Sequence, residues 1–126
     1  MSENHNQQLG KLGEDIAEQY YLELGFTITG RNYRAGHDEI DLIAENDRTV
    51  VFVEVKTRSD VSFGRPGLAV NASKRKFLVN AAKAYIKTHK SDKFHRFDVL
   101  EIFLKSDGTH SINQIRNAFG ADGRVI

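Results

Sequence analysis

The stretch EIDLIAENDRTVVFVEVKT, residues 39–57, decides the fold of this chain. Residues 39–45 alternate as in a β-strand, with Ile40 and Leu42 predicted on one face. Residues 50–56 are rich in β-branched side chains, and polar residues typical of a turn separate the two segments. The pattern predicts a β-hairpin whose second strand is nearly all apolar and therefore central and buried.

That second strand carries two charged residues, Glu54 and Lys56, in an otherwise apolar run. The strand period of two places both on one face, with Val51, Val53 and Val55 on the other. Burying a charge is unfavourable unless the charge is paired or coordinates a metal. A structural ion pair on a half-exposed face is one interpretation. We favour a functional site, because the neighbouring strand supplies further acids.

The register of the hairpin decides which acid faces Glu54. A four-residue loop at residues 46–49 places Asp41 opposite Glu54, whereas a two-residue loop pairs Glu39 with Glu54. Either register leaves Glu39, Asp41, Glu54 and Lys56 on one face, because directly opposed residues share a side of the sheet.

This arrangement predicts a divalent metal site. Two carboxylates ~5 Å apart repel by about 3 kcal/mol at an effective dielectric constant of ~20. A divalent cation bound to both converts this repulsion into attraction. Mg²⁺ takes carboxylate oxygens, backbone carbonyls and waters as ligands. We therefore expect Mg²⁺ or Mn²⁺ on Asp41 and Glu54, with the Val55 carbonyl as a further ligand. Lys56 would orient or deprotonate a water, or stabilise developing negative charge, as in phosphodiester hydrolysis.

The rest of the chain predicts an α/β domain. Apolar residues at helical spacing predict a helix over residues 9–24 that ends at Gly25, after a flexible polar tail at residues 1–8. A strand is expected over 26–33 and a loop over 59–67. Ser73 would cap a helix reaching His89, with an apolar stripe of Phe77, Leu78, Ala81 and Tyr85. Strands are expected over 94–104 and 111–115. Residues 9–126 would form a single domain with a mixed sheet of four to five strands flanked by helices.

Composition narrows the class of protein further. The 126 residues suit one domain, and the lack of cysteine excludes disulfides and thiolate metal sites. No apolar run approaches the ~20 residues that span a bilayer, and the polar N-terminus lacks the apolar core of a signal peptide. We therefore expect a cytoplasmic protein without a membrane-spanning segment.

The net charge of +1 hides an asymmetry. Residues 1–45 hold three basic and nine acidic residues, and residues 46–126 hold fifteen basic and eight acidic residues. A basic segment in a near-neutral chain indicates a polyanion-binding face, although a solvated helix face or an ordinary connector would look the same. The candidate nucleic-acid-binding residues are Arg58, Arg65, Lys74, Arg75, Lys76, Lys83 and Lys87.

An ordered set of motifs resembles the YraN-like family of small bacterial proteins. The motifs are Gly10-Lys-Leu-Gly-Glu14, Gly25-Phe26, Arg31-Asn-Tyr-Arg34, Glu39-Ile-Asp-Leu-Ile-Ala44, Val53-Glu-Val-Lys-Thr-Arg58 and Arg96-Phe-Asp-Val99. That family is distantly similar to archaeal Holliday junction resolvases, which have the restriction-endonuclease-like fold of PD-(D/E)xK nucleases. The resemblance covers residues 9–119.

The resemblance implies a role for each matching residue. Asp41 matches the first acid of the nuclease motif, Glu54 the second acid and Lys56 the lysine. Glu14 matches a helical glutamate that resolvase-like proteins add to the metal site. Glu39 would touch the metal or lie in its second shell.

Together these observations predict a Mg²⁺- or Mn²⁺-dependent endonuclease. DNA is the favoured substrate, with branched or junction DNA suggested by the resemblance, while RNA stays open. A symmetric homodimer would suit cutting of both strands. The alternative is a nucleic-acid-binding module that keeps the fold and either lacks catalysis or needs a partner.

Overall fold

The computed structural model describes residues 5–59 and 70–126, which form a five-stranded sheet with one helix on each face. The elements in chain order are α1 (His5–Glu23), β1 (Thr27–Ala35), β2 (Asp38–Glu45), β3 (Thr49–Ser59), α2 (Ala72–His89), β4 (Phe94–Leu104) and β5 (His110–Phe119). This confirms the predicted α/β class, and the mixed sheet flanked by helices is consistent with a restriction-endonuclease-like fold.

The strands lie side by side in chain order, from β1 at one edge to β5 at the other. Neighbours are antiparallel except β3 and β4, which are parallel. A parallel pair needs a crossover connection, and α2 provides it. The central position of β3 explains why its sequence is almost continuously apolar.

Each face of the sheet has its own apolar core. On the α1 side, Ala17 and Tyr21 pack in a cluster with Val51 and Val53 of β3. On the α2 side, Leu78, Tyr85 and other helix residues pack around Phe52. Successive residues of β3 are therefore buried on opposite faces.

A close contact between α1 and β3 depends on Gly13. A Cβ at this position would overlap the Thr57 hydroxyl and lie 2.9 Å from the Thr57 Cβ. The absence of a side chain at Gly13 lets α1 lie directly on the part of β3 that follows Glu54. The N-terminal half of α1 is thereby held beside the predicted site.

The ends of α1 test two sequence predictions. Residues 5–8, predicted as part of a flexible tail, are helical, and residues 1–4 lie outside the described residues. Polar residues on an outer turn add no apolar periodicity, so the pattern could not include them. The predicted end at Gly25 is confirmed, since Gly25 has φ +91° and Phe26 N–H donates to the Tyr21 carbonyl at 3.0 Å.

The predicted cap and apolar stripe of α2 need correction. Asn71, and not Ser73, is the N-cap, and its side chain accepts a hydrogen bond from the Lys74 N–H at 2.9 Å. Both residue types cap helices well, so the sequence did not distinguish them. Phe77 is exposed, whereas Val79 joins Leu78 in the core.

The remaining boundaries differ from the predictions only at the ends. Strand β4 has the predicted bounds, while β5 runs to Phe119 and is longer than the predicted 111–115. Ser59 still belongs to β3, and residues 60–67 of the predicted loop lie outside the described residues. Neither helix of the described ranges is long and apolar enough to cross a membrane.

Candidate metal centre

The β2–β3 hairpin has the register predicted for a four-residue loop, one of the two predicted registers. Glu45 pairs with Val50, which excludes the register of the two-residue loop, and the connection itself is residues 46–48 because Thr49 already belongs to β3. The Asn46 side chain accepts hydrogen bonds from the backbone N–H of Arg48 and Thr49 at 3.0 and 2.9 Å. This local turn chemistry fixes the register.

The two strands of this hairpin separate at the candidate site. Strand β2 pairs with β1 along its length, but its pairing with β3 extends only from the turn to Leu42↔Val53. Beyond that point the Asp41 Oδ2 accepts a hydrogen bond from the Val55 N–H at 2.9 Å. The Asp41 side chain thus accepts a hydrogen bond from the Val55 N–H, which would donate to a backbone carbonyl of β2 if the two strands continued to pair.

This separation overturns one detail of the predicted faces. Ile40 packs in the cluster under α2, whereas Leu42 packs in the cluster under α1, so the two do not share a face. The alternation assumed a regular strand, and β2 is irregular where it leaves β3. The separation opens a fork in the sheet at Asp41.

Glu54 is a buried acid surrounded by cations. Its side chain is 3% exposed, and its Oε2 lies 3.7 Å from Lys56 Nζ and 3.6 Å from Lys74 Nζ. Its Oε1 is buried and has no hydrogen-bond partner among the described residues. A buried carboxylate oxygen in this state is satisfied by a proton on a neighbouring acid or by a cation.

Asp41 is the neighbouring acid. Burial, and then a hydrogen bond and charge repulsion from Glu54, raise its pKa to about 8, against the opposing effects of the Val55 N–H and Lys74. Two carboxyl groups that cannot both ionise at low cost are the arrangement that a divalent cation neutralises. The predicted pairing of Asp41 with Glu54 is therefore present.

Glu14 reaches the same region from α1 but is already engaged. Its Oε1 accepts hydrogen bonds from Asn32 Nδ2 at 3.2 Å and Arg31 Nε at 3.4 Å. Burial is the main cause that raises the Glu14 pKa, and the charge of Asp41 adds to it. Glu14 thus lies close enough to Asp41 to sense its charge, while Arg31 and Asn32 hold its carboxylate.

A cavity of about 270 Å³ lies beside Asp41 and Glu14, and Glu54 is not part of its lining. Its lining consists of Leu9, Gly10, Glu14, Asp41, Val55, Lys56 and Thr57. It lies between the N-terminal half of α1 and the part of β3 that follows Glu54. The cavity is large enough for several water molecules, each of which occupies ≈ 30 Å³ in the liquid.

The donor atoms present could hold one divalent cation at the fork. The carboxylates of Asp41 and Glu54 are hard oxygen ligands, and the Val55 carbonyl belongs to the same segment. Within residues 5–59 and 70–126, no group of three or more histidine, aspartate and glutamate side chains is arranged to hold a metal. The fork therefore offers two acids as possible ligands, half-buried Asp41 and buried Glu54, with Glu14 beside them.

Glu39, predicted as a possible metal or second-shell residue, is placed differently. Its Oε2 lies 3.8 Å from Arg34 Nη2, and the Arg34 side chain is 76% exposed. The two residues are cross-strand partners of β1 and β2. The structure therefore places Glu39 in a surface ion pair.

The five residues of α2 that were predicted to bind nucleic acid fall into three groups. Lys76, Lys83 and Lys87 are exposed along α2. Arg75 donates hydrogen bonds from Nε to the Gly123 carbonyl at 2.8 Å and from Nη1 to the Val70 carbonyl at 2.9 Å. Its guanidinium group therefore connects α2 to both of these backbone segments. Lys74 points to Glu54, as described above.

The remaining two candidates are Arg58, which belongs to β3, and Arg65. Arg58 Nε lies 3.6 Å from Glu101 Oε2. Arg65 lies outside the described residues.

Two residues near the site were not predicted from the sequence. One is Glu101, and the other is Lys74 in its role as a partner of Glu54. Glu101 is fully buried, is the β4 partner of Lys56, and accepts a hydrogen bond from Asn113 Nδ2 at 2.8 Å. An acid within the apolar run FDVLEIFL carries the same signal that identified Glu54, so this residue was detectable. The contact of Lys74 with Glu54 was not detectable from the sequence, because it depends on how α2 packs against the sheet.

Comparisons with known proteins agree with the motifs. The model of "Uncharacterised protein family UPF0102", the YraN family, matches residues 13–102, which span α1 to β4. A UPF0102 protein of Chloroherpeton thalassium is 43% identical over 112 residues, covering 88% of this chain and 87% of the relative. A UPF0102 protein of Caldicellulosiruptor bescii is 43% identical over 117 residues, covering 89% of this chain and 97% of the relative.

A third relative extends the agreement to another bacterial lineage. A UPF0102 protein of Bacteroides thetaiotaomicron is 43% identical over 115 residues, covering 91% of this chain and 93% of the relative. Identity at this level over nearly the full length of each protein, together with the family model, confirms the resemblance drawn from the motifs. The chain belongs to the UPF0102 family.

Proposed function

We propose that this protein is a metal-dependent endonuclease that hydrolyses phosphodiester bonds in DNA, with branched or junction DNA as the preferred substrate. The observation that carries the proposal is the carboxyl pair of half-buried Asp41 and buried Glu54 at a fork in the sheet, with Lys56 and Lys74 at Glu54. A purely structural ion pair would not need a second acid against the first. The motif resemblance to resolvase-like nucleases supports the same conclusion.

The proposal assigns a divalent cation, Mg²⁺ or Mn²⁺, to this pair. Asp41, Glu54 and the Val55 carbonyl would hold it, and Glu14 would join directly or through water. The buried Glu54 Oε1 without a partner in the described residues fits such a ligand. When bound, the cation would neutralise charge on the phosphate and favour ionisation of the attacking water.

Lys56 is the residue assigned to the attacking water. It lines the cavity and lies 3.7 Å from Glu54, where an ammonium can orient a water and stabilise negative charge on the phosphate. The water oxygen forms a new bond to phosphorus as the bond to the 3′ oxygen breaks. The attacking water loses its proton, the 3′ oxygen gains one, and the products are a 5′ phosphate and a 3′ hydroxyl.

The exposed lysines of α2 supply backbone affinity in this proposal. Lys76, Lys83 and Lys87 recur at steps of seven and four residues, so they lie along one side of the helix. Contacts of this kind are independent of sequence and weaken with salt. They do not distinguish DNA from RNA, so the substrate panel below includes both. The cytoplasm, which holds such substrates, is the proposed location.

A homodimer is part of the proposal for junction DNA. Cutting two strands symmetrically needs two centres, and a two-fold dimer supplies them. Sedimentation equilibrium with and without a four-way junction would test this part alone. A monomer bound to an intact junction would contradict it.

Cleavage of a labelled panel tests the proposed function. The panel contains a four-way junction, a flap, duplex DNA, single-stranded DNA and RNA, each with Mg²⁺, Mn²⁺ or a chelator. Wild type is compared with Glu54→Gln and Lys56→Ala, and with Glu23→Gln as a control, because Glu23 is an exposed acid at the far end of α1.

We expect wild type and Glu23→Gln to cut in the presence of metal, and the other two variants to lose at least about a hundredfold in rate, within the range that general acid–base groups contribute. Equal cutting by all four proteins would reveal a contaminant and reject the assigned site.

A nucleic-acid-binding module is the second candidate function. The observation that favours it is that the described residues provide no arranged group of three metal-binding side chains. This alternative predicts salt-sensitive binding that depends on the α2 lysines, no cleavage under any condition, and no effect of Glu54→Gln on binding.

A further inference from the structure

Two lysines from different parts of the fold contact one buried oxygen of Glu54. Lys56 comes from β3 itself, two residues along the strand, whereas Lys74 comes from the first turn of α2. The distances from Glu54 Oε2 to the two ammonium nitrogens are 3.7 and 3.6 Å. Both ammonium groups therefore offset the negative charge of the Asp41–Glu54 carboxyl pair in the structure as it stands.

The two lysines differ in their surroundings. Lys56 lies on a central strand and lines the cavity with Glu14 and Asp41, so it stays beside the site. Lys74 does not line that cavity and approaches Glu54 from α2, with a side chain that is 39% exposed. A long, half-exposed side chain on a helix end can leave Glu54 for solvent by rotating its stem.

A divalent cation at Asp41 and Glu54 would take over the charge that Lys74 now neutralises. Two positive charges beside the ammonium group would repel it, and the repulsion is strong where water is largely excluded. Lys74 would then present an uncompensated charge at the edge of the site, next to the exposed lysines of α2. The nearest ligand of opposite charge on that surface would be a phosphate of bound nucleic acid.

We propose that Lys74 is a coupling residue: it pairs with Glu54 in the metal-free protein, and binding of a divalent cation releases it to a substrate phosphate. This inference rests on the proposed function and deepens it. Its consequence is that cation and polyanion bind cooperatively, because each favours the same released state of Lys74. By linkage the coupling is reciprocal, so the two ligands raise each other's affinity by the same factor.

Fluorescence anisotropy of a labelled four-way junction measures this coupling. The junction is titrated with protein in chelator and in Ca²⁺, a cation that occupies oxygen sites and is chosen to support binding without turnover. The matched control is Lys76→Ala, because Lys76 is an exposed lysine two residues further along the same helix. Lys74→Gln and Lys74→Arg are measured beside Lys74→Ala, so that the effect of packing by the aliphatic stem is distinguished from the effect of the positive charge. Thermal unfolding verifies that each variant is folded.

Wild type should bind the junction at least fivefold more tightly in Ca²⁺ than in chelator, which is the lower end of typical coupling. Lys74→Ala and Lys74→Gln should lose this gain, and Lys74→Arg should keep most of it. Lys76→Ala should weaken binding by the same factor in both conditions. A full gain in Lys74→Ala, or an equal loss in both conditions, overturns the inference.

Calorimetric titration of Ca²⁺ without nucleic acid separates this inference from the proposed function. Removal of the competing ammonium should make Lys74→Ala bind Ca²⁺ several-fold more tightly than wild type. Unchanged or weaker binding overturns the release step, whatever the nuclease assay shows. A wild type that binds Ca²⁺ but no nucleic acid would instead reject the proposed function, and a wild type that binds neither would reject both.

Discussion

The strongest prediction concerns the stability of the metal-free protein with Asp41→Asn. In the native structure the Asp41 Oδ2 accepts a hydrogen bond from the Val55 N–H at 2.9 Å, and an amide oxygen can keep that bond. The amide nitrogen can donate towards Glu54, as a protonated Asp41 does. The substitution therefore mimics the protonated acid and removes the charge that Glu54 opposes.

The sign of the pH effect follows from the raised pKa. Burial, and then the neighbouring Glu54, raise the Asp41 pKa from 3.8 to about 8, so the folded protein holds a proton that the unfolded chain releases near pH 4. The stability from this proton is fully present below the unfolded pKa and is lost as pH rises through about 8. Repulsion between two carboxylates ~5 Å apart at an effective dielectric constant of ~20 gives a loss of about 3 kcal/mol.

Urea unfolding in a chelator at pH 5, 7 and 9 measures the effect. The free energy of unfolding of Asp41→Asn minus that of wild type should rise by roughly 3 kcal/mol from pH 5 to pH 9. Glu23→Gln is the control, and its difference from wild type should change by less than about 0.5 kcal/mol, as for surface substitutions. Saturating Mg²⁺ should then stabilise wild type and leave Asp41→Asn unchanged.

Two outcomes would refute this reasoning. A difference between Asp41→Asn and wild type that stays constant from pH 5 to pH 9 would mean that the carboxyl pair is not strained by a second charge. An Asp41→Asn protein that is less stable than wild type at pH 9 would mean that the carboxylate is satisfied by its surroundings without a cation.

Two further predictions test the packing that holds the site. Gly13→Ala should destabilise the protein by about 1–3 kcal/mol in urea unfolding, because its Cβ would overlap the Thr57 side chain, whereas Gly10→Ala on the same helix has open space and should be neutral or stabilising. Asp98→Ala should cost about 3–5 kcal/mol by the same measurement, because the buried carboxylate accepts hydrogen bonds from Tyr21 Oη at 2.8 Å and from Arg96 Nε at 3.1 Å. Equal effects of the two alanine substitutions on α1, or a loss below 1 kcal/mol for Asp98→Ala, would contradict the packing described.

The sequence was sufficient to predict the part of the fold set by local patterns. The order of elements follows from apolar periodicity, and the turn residues after Glu45 limit the hairpin to two registers, of which the structure has one. The position of Asp41 beside Glu54 follows from that register. These features depend on neighbours in sequence or on directly paired strands.

Other features depend on distant contacts and could not be predicted. The fork at Asp41 arises because a side chain replaces a backbone partner of Val55, which strand alternation does not encode. The docking of α2 brings Lys74 to Glu54, and it also places Arg75 against two backbone carbonyls. From sequence, these two residues look the same as the exposed lysines that follow them.

The central claim is that the carboxyl pair of Asp41 and Glu54 is a divalent metal centre. Titration of Mn²⁺ followed by electron paramagnetic resonance tests this claim most directly. Free Mn²⁺ gives a sharp six-line spectrum that is lost on binding, so the free ion is counted in each sample. Wild type and Glu23→Gln should remove Mn²⁺ from solution at a defined stoichiometry, and Asp41→Asn and Glu54→Gln should not. Retention of the full free Mn²⁺ signal by wild type, or equal binding by all four proteins, would contradict the account.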